Sequence, residues 1–426
     1  MPASRPLKGI VRVPGDKSIG HRSLIFGALA EGGLRIVGLP QGEDVRSTRR
    51  CLEALGASFS DASEAVVATG GGLSAPWKTP RGRLDCGNSG TTMRLLMGLL
   101  SGMPLEATLF GDTSLSRRPM GRVAEPLRAM GAGIELTGDK FAPVSVRGKR
   151  PLSAARYRLP VPSAQVKSAI LLAGLSSSGE TIVVDPFETR DHTERMLAWL
   201  NASVLRRDGP NIHLTPGLLS GDGRTVRVPG DVSSASFFMA AASMVEGSDV
   251  SLPGVGVNAT RMGFVSVLKE MGALIEMTNQ REEGGEPVAD IRVRSAALRG
   301  VTVAAERVPT LIDEVPLLAV AAATARRVTR IEGLGELRHK ESDRLEGTAK
   351  GLRAMGVAAR VDGDALEIAG GSKIRGALIE TLGDHRLAMA FSVAALAAHG
   401  ETRLSDAECV AISYPGFFLD LEALCR

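Results

Sequence analysis

Aromatic residues are scarce: Phe, Trp and Tyr make up 4% of the 426 residues. A core built with so few rings must be aliphatic and Ala-rich. A platform of rings for stacking bases is not expected either. Cysteine is rarer still. Cys51, Cys86, Cys409 and Cys425 show no CxxC spacing, which excludes a disulfide framework or a zinc ribbon and fits a reducing compartment. The six histidines form no HExxH or other metal signature, so no metal is expected. Net charge is only +4, with no run of five like charges. A nucleic-acid partner, which calls for a basic stripe, is not expected. No apolar stretch reaches the roughly 18 residues that cross a bilayer. The opening residues MPASRPLKGIVRVPGD lack the apolar core of a secretory signal. A cytoplasmic protein without membrane contact is therefore expected. GxxxxGK[ST] and GxSxG are missing, and GVGVNA and GLGELR lack the last glycine of GxGxxG. The chain announces no nucleotide cofactor.

What the chain does have is repetition. Residues 13–32 read VPGDKSIGHRSLIFGALAEG and residues 228–247 read VPGDVSSASFFMAAASMVEG. Each copy runs from a Pro-Gly-Asp turn through a small polar loop and an apolar helical run to Glu-Gly. The first copy carries Lys17, Ser18, His21 and Arg22, and the second has no charge between Asp231 and its closing Glu-Gly. Related clusters follow at 87–94 (GNSGTTMR), 163–169 (SAQVKSA), 311–316 (LIDEVP) and 383–389 (GDHRLAM). The helices after these clusters close roughly 70–80 residues apart, longer than most solenoid repeats. A second helix recurs late in each unit: LEALGA, LRAMGA, LAWLNA, LKEMGA, LRAMGV and FLDLEAL. Gly or Asn after an apolar helix end reads as a C-cap. Ala/Leu helices resemble one another anywhere, but here loop, helix, closure and second helix repeat in order. Six units of β-α-β-α-β-β type fit. The length suits two or three domains, 44% hydrophobic content allows a sizeable core, and 50 glycines suit many tight turns.

Each polar cluster sits just before an apolar helix. Helix N-termini expose unpaired N–H groups and attract anions. Cations crowd these tips: Lys17, Arg22, Arg94, Arg117, Arg118, Lys167, Arg190, Lys340, Arg344 and Arg386. A cation at a helix N-terminus is unfavourable unless an anion is present. The pattern points to a small, multiply anionic substrate carrying phosphate and carboxylate, although a plain coat of exposed charge would also place cations there. Asp313-Glu314 opens an Ala-rich helix, and simple capping would explain it. HKESDRL (339–345) reads either as a solvated helix with i,i+3 and i,i+4 pairs or as a site. If it is helical, Lys340 and Arg344 share a face with Glu341 about a quarter turn away. That would set an acid beside two cations, as acid–base chemistry needs.

These motifs together resemble the EPSP synthase family over nearly the whole chain. PGDKSIGHR, GNSGTTMRLL, SLSRRPMGR, SAQVKSAILLAGL, TRDHTERML, LIDEVPLLAVAAA, RHKESDRL and GDHRLAMAF occur in the family's order. SAQVKSA, TRDHTE and the RPMGR loop look closer to its second bacterial class. The resemblance implies a two-domain inside-out α/β barrel, with three βαβαββ repeats per domain around buried parallel helices and a two-stranded hinge at the twin PGD turns. One domain would be 16–228, and the other 1–15 with 229–426. Helix N-termini of both domains would face one cleft that ligands close. It implies transfer of the enolpyruvyl group of phosphoenolpyruvate to the 5-hydroxyl of shikimate 3-phosphate through a tetrahedral ketal. No cofactor or metal would take part, and a monomer is expected.

By resemblance, Ser18 and Arg22 hold the shikimate carboxylate and ring. Ser163, Ala164 and Gln165 cradle the 3-phosphate and ring, and Arg190 contacts that phosphate. Lys17 and Arg118 clamp the phosphate of phosphoenolpyruvate, and Arg344 and Arg386 its carboxylate. Asn88, Gly90 and Thr91 line the same pocket. Asp313 binds the 5-hydroxyl, Glu341 is the acid–base at the methylene carbon, and Lys340 bridges the substrates. Which of Asp313, Glu341 and Lys17 moves which proton stays open. Three positions depart from the family pattern: Ile412 stands where many relatives have Lys, Ala164 where a second serine is usual, and Glu336 where Asn is usual. Gly90, in place of the Ala of glyphosate-insensitive members, implies inhibition by glyphosate. The UDP-N-acetylglucosamine enolpyruvyl transferases share the fold, but their loop Cys or Asp is missing beside the arginines of GDTSLSRRPMG.

Overall fold

The computed structural model describes residues 5–425. Two compact units emerge. One comprises Gly15–Val228 with Glu282–Glu286. The other takes the chain up to Pro14, Pro229–Arg281 and everything from Pro287 onward.

The first unit contains α1 (Lys17–Leu29), α2 (Glu43–Ala54), α3 (Gly90–Ser101), α4 (Gly121–Ala129), α5 (Ala164–Gly174) and α6 (His192–Leu200). Helices α1, α3 and α5 are apolar on nearly every side, and nearly all their residues are buried. That is the behaviour of helices with no polar face to offer water. Alternate helices are amphipathic. Helix α2 buries Val45, Thr48, Cys51 and Leu52 and leaves Arg46 and Glu53 outside. Helices α3 and α5 approach closely because residue 98 is Gly. A Cβ there would lie 2.2 Å from the Ala169 carbonyl oxygen.

The three sheets of this unit follow one rule. The strands flanking a buried helix pair in parallel, and an antiparallel hairpin extends the sheet. Leu84–Asp85 and Glu106–Phe110 flank α3, joined by Phe141–Arg147 and Gly133–Thr137. Arg156–Arg158 and Thr181–Val184 flank α5, joined by Asn211–Leu214 and Leu205–Asp208. The third sheet breaks chain order. The strand after α1, Leu34–Val37, pairs with Thr225–Arg227 from far along the chain.

The second unit contains α7 (Val232–Met244), α8 (Gly263–Glu270), α9 (Val315–Thr324), α10 (Arg344–Ala354), α11 (His385–Leu396) and α12 (Phe417–Leu424). Here α7, α9 and α11 are the buried helices. The N-terminal strand Lys8–Ile10 pairs with Asp249–Gly256, the strand after α7. The strands leading into the two PGD turns have thus exchanged partners. At the first turn Gly15 allows the close approach: a Cβ there would sit 2.1 Å from the Gly38 carbonyl oxygen.

The expected sixth repeat is incomplete. Among the described residues five sheets have four strands, but Leu378–Ile379 and Arg403–Leu404 form a sheet of two. Among the described residues no hairpin follows α12. Rings take its place: Phe237, Phe238, Tyr414, Phe417 and Phe418 meet with centroids 5.4 to 6.1 Å apart. Edge and tilted contacts of this kind favour such clusters beyond plain area burial.

Candidate active site

In the first unit the three buried helices are capped by side chains. Asp16 accepts from the Ile19 N–H (3.0 Å), Ser89 from Thr92 (3.1 Å) and Ser163 from Val166 (3.3 Å). Each cap satisfies one orphan N–H and fixes where the first turn begins. Lys17 and Ser18, Gly90 and Thr91, and Ala164 and Gln165 therefore occupy equivalent places on three helix tips. Gln165 donates to Thr91 Oγ1 (2.9 Å), and Arg94 donates to Gln165 Oε1 and to the Pro119 carbonyl (3.3 Å). Asn88 donates to Asp112 (2.6 Å) and accepts from Arg118 (2.7 Å). These partners decide which way each amide points. Lys17 Nζ lies 2.8 Å from Asp44 Oδ2.

Arg22 is 3% exposed. It donates to Thr193 Oγ1 (2.7 Å), the Ser18 carbonyl (2.9 Å) and Ser168 Oγ (2.7 Å), and so ties α1 to α5 and α6. Burial lowers its pKa to about 10, against the pull of Glu194, Asp16 and Glu286. It stays charged at neutral pH. Arg190 is half-buried just before α6.

One expectation changes here. Lys167 is not an anion-binding cation. It is 1% exposed, and its Nζ lies 2.9 Å from Asp185, 2.7 Å from Glu194 and 2.9 Å from the Thr189 carbonyl. A buried ammonium needs such company. Position 167 points inward because it lies one turn beyond the helix tip. His21 of the GHR motif is likewise internal, with Nδ1 2.6 Å from Thr48 Oγ1. Thr48 continues to Thr92 (2.7 Å) and Thr92 to Ser89 (2.8 Å).

Burial lowers the His21 pKa from 6.5 to about 3. The neutral ring is favoured in the folded state, so the unfolded chain binds the extra proton. The stability this contributes is complete above pH 6.5 and is lost as pH falls toward 3. Between pH 7 and pH 5 the loss should be about 2 kcal/mol. Urea unfolding at both pH values should show His21→Asn reducing that difference. An equal difference in wild type and variant would contradict the assignment.

In the second unit HKESDRL is not a helix. Residues Gly335–His339 form a 3-10 turn, Lys340 is extended, and α10 begins only at Arg344 with Asp343 as its cap. The cations and acids meet through a different residue, Asp313. Lys340 Nζ lies 3.1 Å and Arg344 Nη1 3.5 Å from Asp313 Oδ1, while Glu341 touches Arg344 at 2.5 Å. Capping does not explain Asp313-Glu314 either. Glu314 makes no side-chain cap bond to α9. Its Oε1 accepts from Ser233 and from Arg386 (3.3 Å).

Several supporting residues were not legible as functional. Asp384 is fully buried, caps α11 and receives Arg344 Nε (2.8 Å) and Nη2 (3.2 Å). Burial opposes the Arg344 charge, but Asp384, Glu341 and Asp313 outweigh it and hold its pKa above the usual range. Asp44, Asp112, Ser168 and Thr193 read as ordinary polar residues in sequence. Only the fold brings them to Lys17, Asn88 and Arg22. At the departing positions, Ile412 packs against the apolar core and Glu336 is exposed in the turn. Among the described residues no cluster of His, Cys, Asp and Glu could hold a metal ion, and no helix is long and apolar enough to cross a membrane.

Residues 2–421 match the family described as EPSP synthase (3-phosphoshikimate 1-carboxyvinyltransferase). A 3-phosphoshikimate 1-carboxyvinyltransferase of an Anaeromyxobacter species is 50% identical over 424 residues, 99% of this chain and 97% of that one. Its counterpart in Alkalilimnicola ehrlichii is 49% identical over 96% of this chain and 92% of its own. Among solved structures, EPSP synthase from Acinetobacter baumannii superposes with a TM-score of 0.88 at 43% identity, covering 100% of this chain and 97% of that one. The enolpyruvyl transferase NikO from Streptomyces tendae shares the fold, with a TM-score of 0.78 at 20% identity over 99% of this chain and 96% of its own.

Proposed function

This chain belongs to the EPSP synthase (3-phosphoshikimate 1-carboxyvinyltransferase) family, and on that premise we propose that the residue sets of its two units serve one reaction. The enolpyruvyl group of phosphoenolpyruvate moves to the 5-hydroxyl of shikimate 3-phosphate, and phosphate leaves. The observation that carries this reading is the cluster of two acids and two cations, Asp313, Glu341, Lys340 and Arg344, in ion-pair contact.

Glu341 gives a proton to the methylene carbon, which makes the neighbouring carbon electrophilic. Asp313 takes the proton of the 5-hydroxyl as its oxygen bonds to that carbon. The resulting ketal loses phosphate when the C–O bond to the phosphate breaks, the methyl proton returns to Glu341, and the hydroxyl proton held by Asp313 leaves with the phosphate. Atoms balance without a metal or an organic cofactor. Lys17 and Arg118 bind the departing phosphate. Arg344 and Arg386 grip the carboxylate, where the planar guanidinium suits paired hydrogen bonds. Asn88, Gly90, Thr91 and Gln165 line the space beside it. The 3-phosphate and ring fall to Ser163, Ala164, Gln165 and Arg190, the carboxylate and ring to Ser18 and Arg22, and Lys340 lies between the substrates.

Glu341 and Asp313 pair with Arg344, and Asp313 also with Lys340, cations that the substrates need. Phosphoenolpyruvate must therefore compete with Glu341 and Asp313 for Arg344. One chain supplies every residue named, so a monomer suffices. Four free thiols, three of them buried, support a reducing, cytoplasmic setting. The small net charge supports small anionic substrates rather than nucleic acid. The names of the relatives favour shikimate 3-phosphate over a UDP-sugar as acceptor. Phosphate release on mixing the protein with phosphoenolpyruvate and shikimate 3-phosphate tests the reading. Release with UDP-N-acetylglucosamine instead would overturn it.

Gly90 carries a further prediction. A Cβ there would lie 3.2 Å from Arg94 Nη1 and 3.4 Å from Arg118 Nη1, so the Arg94 guanidinium must yield by a few tenths of an ångström while Arg118 comes into ordinary contact. Gly90→Ala should raise the glyphosate inhibition constant about tenfold or more, the scale of a small-to-large clash, with a smaller rise in the KM for phosphoenolpyruvate. An unchanged inhibition constant would remove Gly90 from the inhibitor's surroundings.

A further inference from the structure

The second PGD copy lacks cations, yet its serine is not idle. Ser233 is the second residue of α7, Glu314 ends the turn before α9, and Arg386 is the second residue of α11. All three are buried, with exposures of 0%, 3% and 7%. Arg386 Nη1 donates to Ser233 Oγ and to Glu314 Oε1, and Ser233 Oγ donates to Glu314 Oε1. The backbone beneath them is held too: Asp231 takes the Ser233 N–H (2.8 Å) and Asp384 the Arg386 N–H (2.9 Å).

We propose that Glu314, with Ser233 as its relay, is a positioning residue that aims Arg386 at the carboxylate of phosphoenolpyruvate. This rests on the role given to Arg386 above. Both hydrogen bonds use Nη1, which leaves the Nε–Nη2 edge to meet a planar anion. Arginine side chains have several free torsions, and paired hydrogen bonding needs the plane fixed beforehand. Side chains from three helix tips supply that constraint. A carboxylate so near an anion site also repels the anion. Positioning predicts weaker substrate binding once the charge is removed, and simple repulsion predicts tighter binding.

The test compares Glu314→Gln, Ser233→Ala, their double variant and Arg386→Lys with wild type in steady-state phosphate release. Glu314→Gln should raise the KM for phosphoenolpyruvate about tenfold, with kcat and the KM for shikimate 3-phosphate within about twofold. A purely structural role would move all three constants together. Ser233→Ala, a smaller change that keeps the Glu314–Arg386 contact, should raise the same KM less. The double variant should fall short of the product of the single effects, as coupled residues do. An unchanged or lowered KM in Glu314→Gln overturns the proposal, and so do multiplicative effects. Arg386→Lys with an unchanged KM for phosphoenolpyruvate overturns the underlying role of Arg386 and the proposal with it. That outcome is visible without any Glu314 variant.

Discussion

Glu341→Gln should lower kcat by a factor of about 10² to 10⁴, the range that one general acid–base contributes, while the substrates still bind. The amide cannot give a proton to the methylene carbon or take one back from the methyl group, so both halves of the proposed reaction slow. Binding behaves differently because Glu341 contacts Arg344 at 2.5 Å. The neutral amide competes less for that guanidinium, and phosphoenolpyruvate should bind at least as tightly as in wild type. Arg344 keeps Asp384 behind it at 2.8 Å, so it stays oriented. Asp313→Ala should also lose turnover, and it frees Lys340 as well as Arg344. Rapid-quench turnover with calorimetric binding separates the two quantities. A kcat within tenfold of wild type in both variants would remove these acids from the chemistry.

Lys167→Met should cost about 3–5 kcal/mol of stability, the usual result of breaking a buried ion pair by removing one partner. The melting temperature should fall by roughly 10 °C for a unit of this size. Methionine fills most of the lysine's volume but leaves Asp185 and Glu194 buried without their cation. The pH dependence gives the sharper check. In wild type, burial raises the Asp185 pKa, but Lys167 and the hydrogen bonds outweigh it and hold the carboxyl below its ordinary 3.8. Its stabilising contribution is therefore present above about pH 3.8 and lost as pH falls through the lower folded value. In the variant the cation no longer offsets burial at Asp185, and the native carboxyl binds a proton that the unfolded chain has released. The deficit should grow from pH 5 to pH 8. A deficit that shrinks with rising pH would contradict the triad. Asp185 also accepts from the Phe187 N–H (3.0 Å) and from the Thr189 N–H (3.0 Å) and hydroxyl (2.6 Å). The loop leading to Arg190 should loosen, and shikimate 3-phosphate should bind less tightly.

Much of the architecture was legible because it repeats. An apolar run after a capping Asp or Ser identifies a buried helix wherever it occurs, and α1, α3, α5, α7 and α11 share that signature. Among the described residues the repeat is incomplete only in its sixth unit, where the strands flanking α11 form a sheet of two, and the scarce rings gather beside it. Periodicity misjudged HKESDRL: Asp343 caps α10 and starts the helix at Arg344, so helical spacing never governed Lys340 and Glu341. Their meeting with Arg344 was anticipated, but the residue that joins them, Asp313, lies 27 positions before Lys340.

Composition, caps and motif order determined by themselves that this is a repeated α/β chain with cations gathered near its helix tips and an EPSP synthase ancestry. These properties are local, since a cap needs only its own helix and a motif only its neighbours. Tertiary structure alone decided which partner each charge takes. Lys167 and Arg94 carry the same charge as Lys17 and Arg118 and stand in equally suggestive motifs. Lys167 is consumed by buried carboxylates and Arg94 orients Gln165. Ser233, unremarked in sequence, and Glu314, read there as a cap, end on Arg386. A side chain's partner depends on which helix tips the fold brings within about 3 Å, the reach of a hydrogen bond, and that distance is not written along the chain.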